Sequence, residues 1–117
     1  MKSRFIILPL LLIQFFLGCT SIKDREDHKP FTDLTHKFLD DYWQVHPSFA
    51  SHVGLSGFDG IMEIPSPQNF EKKLVFYKRY LQLFNEVSDD DLSLNQMTDK
   101  KLIVNDLASS IWTIETF

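Results

Sequence analysis

The stretch Ser66–Val87, SPQNFEKKLVFYKRYLQLFNEV, decides the fold class. Ser66 suits an N-cap, since its hydroxyl can accept from an unpaired first-turn N–H. Pro67 suits the first helical position, where a missing N–H costs nothing. Phe70, Leu74, Tyr77, Leu81 and Phe84 then recur at helical spacing, which places them on one face. A second stripe, Phe76, Tyr80, Leu83 and Val87, runs beside it. A helix resting on a surface needs one stripe, whereas one apolar over this width needs neighbours on two sides. The spacing predicts a central helix with a partner on each flank.

Working upstream, Phe31, Leu34, Phe38, Tyr42 and Val45 share the face of another helix of roughly four turns, with Pro30 in its first turn. Pro47 disfavours helical geometry at His46 and ends it. Pro47 also opens a short helix carrying Phe49 and Val53, for which Gly54 is a left-handed C-cap. Gly57 and Gly60 around Phe58-Asp59 mark turns, and Ile61 to Pro65 reads as extended.

Downstream, Ser88 to Asp91 is an acidic connector, and Ser93 with Gln96 has the spacing of a capping box. Met97, Val104, Leu107, Ile111 and Ile114 share the face of the last helix. Leu94 leads into that face, and Ile103, Ala108 and Trp112 widen it. No stop signal follows, and Glu115 sits where the helix dipole disfavours it, so the chain reads as cut within a longer helical fold. The expected fold is all-α: a signal peptide, two long amphipathic helices, a Gly/Pro-rich connector with a short helix, and one more amphipathic helix.

The first nineteen residues address the protein rather than define its chemistry. Lys2 and Arg4 form a basic start, Phe5 to Leu17 is apolar apart from Pro9 and Gln14, and Phe16-Leu17-Gly18-Cys19 closes the segment. That run is shorter than the ~20 apolar residues of a spanning helix, and charged Lys23 to Asp27 follow it. Gly18 before the chain's single cysteine resembles a bacterial lipobox, in which Cys19 is lipidated and becomes the new N-terminus. Phe16 and Leu17 depart from the usual leucine and small residue. Phe16 fits the small-residue rule of ordinary secretion no better, and an uncleaved anchor is the remaining alternative. The expected layout is residues 1–18 as lipoprotein signal peptide, 19–29 as tether, and 30–117 as a helical domain.

Removing Lys2 and Arg4 with the signal leaves ten basic residues against sixteen acidic, a net charge of −6. Such a surface repels phosphate backbones, which excludes nucleic acid as an expected partner. With Cys19 lipidated no disulfide can form, so stability rests on packing, to which the phenylalanines beyond the signal contribute large buried areas.

Chemistry-bearing residues are sparse. His36 and Asp40 lie four apart on the first helix, but two ligands make no zinc site, and they read as a solvated pair. His46 and His52 flank the proline turn within reach of Asp59, a pattern that reads as a structural hydrogen bond bracing the turn. Asp89 to Asp91 lacks the alternating ligands of a calcium loop and reads as a solvated approach to the last helix. No phosphate-cradling glycine loop, nucleophile elbow or catalytic cysteine is present. No catalytic, cofactor-binding or metal residue is therefore expected, and Cys19 is the one modification site.

The run Tyr42-Trp43-Gln44-Val45-His46-Pro47, then Ala50, Val53-Gly54-Leu55 and Phe58-Asp59-Gly60, resembles the N-terminal portion of the bacterial proteins grouped as domain of unknown function 885. There a helix running into a proline is followed by an A-T-x-x-G segment, an aromatic-Asp pair, and two long helices joined by an acidic linker. Asp89-Asp90-Asp91-Leu92-Ser93 and the helix containing Trp112 are similar to that arrangement, while Ser51 and His52 replace the commoner threonine version. The resemblance covers about Phe31 to Phe117. It implies a longer, predominantly helical, metallopeptidase-like hydrolase whose zinc-binding His-Glu element and following Pro-Gly-His lie downstream. None of those zinc residues has a counterpart here. Two functions are thus expected as alternatives: an envelope-anchored N-terminal portion of such a hydrolase, inactive alone, or a complete small helical lipoprotein that binds a protein or envelope partner through its apolar faces.

Overall fold

The computed structural model describes residues 25–117; the expected signal peptide, Cys19 and the expected tether as far as Asp24 lie outside the described residues. Four α-helices follow in order: α1 (Lys29–Val45), α2 (Pro47–His52), α3 (Pro67–Glu86) and α4 (Leu94–Thr116). Short 3-10 turns span Ser56–Phe58 and Asp89–Asp91. The described residues contain no strand, so the fold is all-α.

Local chemistry sets the boundaries. The Ser66 hydroxyl accepts from the Asn69 N–H at 3.2 Å, with Pro67 opening α3. Pro47 confines α1 to end at His46, whose N–H still closes on the Tyr42 carbonyl at 2.9 Å. Gly54, at φ 95°, lets the Leu55 N–H reach back to Ala50 O and the Gly54 N–H to Ser51 O. These two bonds form a Schellman cap, which closes α2 after six residues.

Helix α3 lies between two neighbours, antiparallel to both. On one flank Phe38 of α1 stacks on Phe76 at 5.7 Å and meets Tyr80 edge-on at 5.2 Å, while Phe31 meets Phe84 at 5.9 Å. On the other flank Leu107 of α4 is fully buried, and Met97, Ile103, Val104, Ile111 and Ile114 along the same helix pack against the core. The core is therefore Phe31, Phe38, Phe76, Tyr77, Tyr80, Phe84, Leu92 and Leu107, six of them aromatic. Edge-to-face geometry recurs among the rings because it aligns their quadrupoles favourably.

Two expectations need correction. The buried strip of α3 is Phe76, Tyr77, Tyr80 and Phe84, lying across both predicted stripes, whereas Phe70 remains 47% exposed. Phe70 sits in the first turn of α3, where it lines open surface grooves with Ser109, Ser110, Thr113 and Ile114 of α4. On α4, Leu94, Ala108 and Trp112 are exposed rather than widening the buried face. One principal neighbour covers only one strip of a helix, so the flanks of that strip stay in water.

The tether also ends earlier than its composition suggests. The Ser93 hydroxyl donates to the Asp27 carboxylate at 2.7 Å, and the His28 N–H donates to Gln96 Oε1 at 2.8 Å. Gln96 Nε2 returns a bond to the His28 carbonyl at 3.1 Å and another to Thr32 Oγ1. Gln96 closes the predicted capping box and also clasps the chain ahead of α1 to the start of α4. Gln96→Glu keeps the acceptor but turns the donor into a second acceptor facing a carbonyl. Urea unfolding is expected to show a loss of about 1–3 kcal/mol, the range for leaving buried polar groups unpaired. An unchanged midpoint would reduce the clasp to a surface contact.

Candidate functional site

The largest gathering of polar and titratable side chains lies at the α1–α2 bend. His46 is the single residue between those helices, and its ring stacks on Tyr42 with centroids 4.3 Å apart. From α3 the Tyr77 hydroxyl lies 2.7 Å from His46 Nε2, bridging 31 positions of sequence. Lys73, one turn earlier on α3, is ion-paired to Glu63 of the connector, with both side chains largely covered. Ser48 Oγ accepts from the Glu63 N–H at 3.2 Å, so α2, the connector and α3 are tied together around the ring.

Burial is the first reason that the His46 imidazole titrates below its ordinary range. The positive charge on Lys73 pushes the same way, while Glu63 and Asp106 oppose it. Tyr77 is pushed up to about 12, chiefly by burial, so its hydroxyl stays protonated beside the ring. Burial also raises Tyr42.

A second tyrosine follows the same logic on the core side. Tyr80 is fully buried, and its hydroxyl donates to the carboxylate of Asp41, which also pairs with Lys37 at 3.0 Å. The bond from Tyr80, then the one from Lys37, holds Asp41 below the usual carboxylate range, while burial pushes Tyr80 up. Stability from a lowered carboxylate is present above its unfolded value and is lost as pH falls through the folded one. Tyr80→Phe is expected to move Asp41 towards its ordinary value in an NMR titration and to flatten the acid limb of the stability profile. An unmoved Asp41 would mean that Lys37 alone sets it.

The other residues singled out from sequence are placed as follows. Asp59 accepts from Ser51 Oγ rather than from a histidine, and His52 stacks on Phe49 with centroids 6.4 Å apart. The bend is braced by a histidine as expected, but by His46 acting on Tyr77. Although Ser51, His52 and Asp59 are close in sequence, the serine bonds directly to the carboxylate, which leaves no base between them. His36 and Asp40 are exposed on α1. Asp89 is not merely solvated: Lys100 Nζ bonds its carboxylate and the Val87 carbonyl, each at 2.6 Å. That pairing lowers Asp89, with the Lys100 bond the larger cause. Among the described residues, no group of three His, Cys, Asp or Glu is placed to hold a metal.

The Tyr77–His46 and Tyr80–Asp41 pairs were not legible beforehand. One signal pointed to them: a tyrosine in a phenylalanine-rich stripe has a hydroxyl that needs a partner once buried. Its identity depends on which helix lies alongside.

Beyond the bend, a groove of about 430 Å³ opens between the start of α3 and the end of α4, lined by Pro67, Phe70, Thr113, Ile114 and Phe117. Trp112, 60% exposed, meets Phe117 edge-on at 5.8 Å and extends its apolar rim. No described helix is long and apolar enough to cross a membrane. No family model matches the chain, and no characterised protein or solved structure is significantly similar to it.

Proposed function

We propose that the chain is the N-terminal helical portion of a zinc-dependent, peptidase-like hydrolase of the bacterial cell envelope. It is anchored through lipid on Cys19, faces the periplasm or exterior, and is inactive alone. The observation that carries this reading is the groove between Pro67-Phe70 and Ile114-Phe117, whose apolar lining a larger helical fold would bury. The residues behind the family resemblance give support of a different kind. Pro47 and Ala50 are buried, His46 braces the bend, and Gly54 adopts the positive φ its cap requires. They are architectural, as a shared N-terminal scaffold demands.

Zinc hydrolysis needs three or four ligands and a carboxylate to deprotonate the bound water. The donors among the described residues do not fit that set; the resemblance implies a metal centre downstream. The decisive test is the coding frame beyond codon 117. A continuing frame encoding a His-Glu element and then Pro-Gly-His is expected. A stop codon there in an intact locus would favour the second reading, a complete small lipoprotein that binds a protein or envelope partner through its apolar faces. Lipidation is tested separately, because Cys19 lies outside the described residues. A palmitate analogue is expected to label the wild type and spare Cys19→Ser, and equal labelling of both would exclude the anchor. More than one acyl chain is required for stable attachment.

A further inference from the structure

We propose that His46 is a proton-operated latch: its neutral ring holds α2 and the connector against α3, and its charged ring releases them. The geometry is that of a hinge. His46 alone separates α1 from α2, capping the end of one helix and the start of the next. A movement of its ring therefore moves the junction. The ring is held by the Tyr42 stack and by the Tyr77 hydroxyl, to which the neutral ring can offer a lone pair on Nε2.

Protonation removes that lone pair and places a charge in a half-buried slot. The groups facing it come from each neighbouring element: Tyr42 on α1, Lys73 and Tyr77 on α3, Glu63 on the connector and Asp106 on α4. The titratable group of α2, His52, is turned against Phe49 instead. Glu63 is already committed to Lys73, so the carboxylate best placed to neutralise an imidazolium is spent. Lys73 adds repulsion. The charged ring gains hydration by leaving the slot, which draws the buried Pro47 and Ala50 with it, along with the connector tied through Ser48 and Glu63. The sign agrees with the lowered imidazole: the opened form takes up the proton first, so closure present above the ordinary imidazole range is lost as pH falls through it.

The test is amide hydrogen exchange on the full chain in detergent micelles at pH 7.5 and 5.0, corrected for intrinsic rates, with the His46 ring followed by NMR. The reporters are the Ala50, Val53 and Leu55 amides, bonded to His46, Phe49 and Ala50 carbonyls. Their protection is expected to fall by about tenfold or more in acid while α4 amides keep theirs, with a midpoint matching the ring titration. His46→Gln keeps an acceptor for Tyr77 but cannot titrate, and is expected to abolish the acid loss. Tyr77→Phe removes the bond that favours the neutral ring, and is expected to move both midpoints to higher pH. The same acid loss in His46→Gln, or unmoved midpoints in Tyr77→Phe, would overturn the latch.

Discussion

Phe84→Ala is expected to cost about 3–5 kcal/mol, the range for deleting a large buried aromatic whose cavity cannot collapse. Phe84 is fully buried and lies where the flanks of α3 meet: its ring is 5.9 Å from Phe31, 5.5 Å from Phe38 and 6.4 Å from Tyr80. Three rigid rings cannot close over the space, since Phe31 and Phe38 are fixed on α1 and Tyr80 on α3. Phe70→Ala removes the same atoms from the same helix at a half-exposed site, so its cost should be under about 1 kcal/mol. Urea unfolding of the two variants separates them, and a similar midpoint for both would show that the core is not centred on Phe84. For a domain whose total stability is of order 5–14 kcal/mol, the first change removes a large fraction of it.

Leu107→Asp is expected to abolish cooperative folding. Leu107 is fully buried at the α3–α4 contact, within the apolar core. A carboxylate there must be protonated, left unpaired or carried out by separating the helices, and each course costs several kcal/mol. Leu102→Asp, on the same helix at a 65% exposed position, should change stability by no more than about 1 kcal/mol. Circular dichroism melts give the comparison: loss of the transition for one variant and a near wild-type transition for the other. Two near wild-type melts would place the buried strip of α4 elsewhere.

Features that depend on neighbours in sequence were legible. The Ser66 cap, the Ser93–Gln96 box, the stop at Pro47 and the left-handed Gly54 each require residues within six positions of one another. Helical periodicity also identified the partners of the core, Phe31 and Phe38 on α1 and Leu107 on α4. At the α1–α2 bend, by contrast, sequence suggested that a histidine braces the turn but placed its partner locally, at Asp59. His46 instead reaches Tyr77, and Asp59 takes Ser51.

Local chemistry thus accounts for the helices, the ends marked by Pro47, Gly54, Ser66 and Ser93, and the all-α class, because capping, proline geometry and the 3.6-residue period act over one or two turns. Only the tertiary structure decided which stripe of α3 is buried. Phe70 and Phe76 are equally apolar, but Phe76 lies on the face that Phe38 of α1 covers, whereas Phe70 stays half-exposed. It likewise decided the second role of Gln96, the pairing of Tyr80 with Asp41 and the seat of His46 on Tyr77. Those contacts join residues between 31 and 68 positions apart, and their formation depends on the order and direction in which helices pack, which no local pattern encodes.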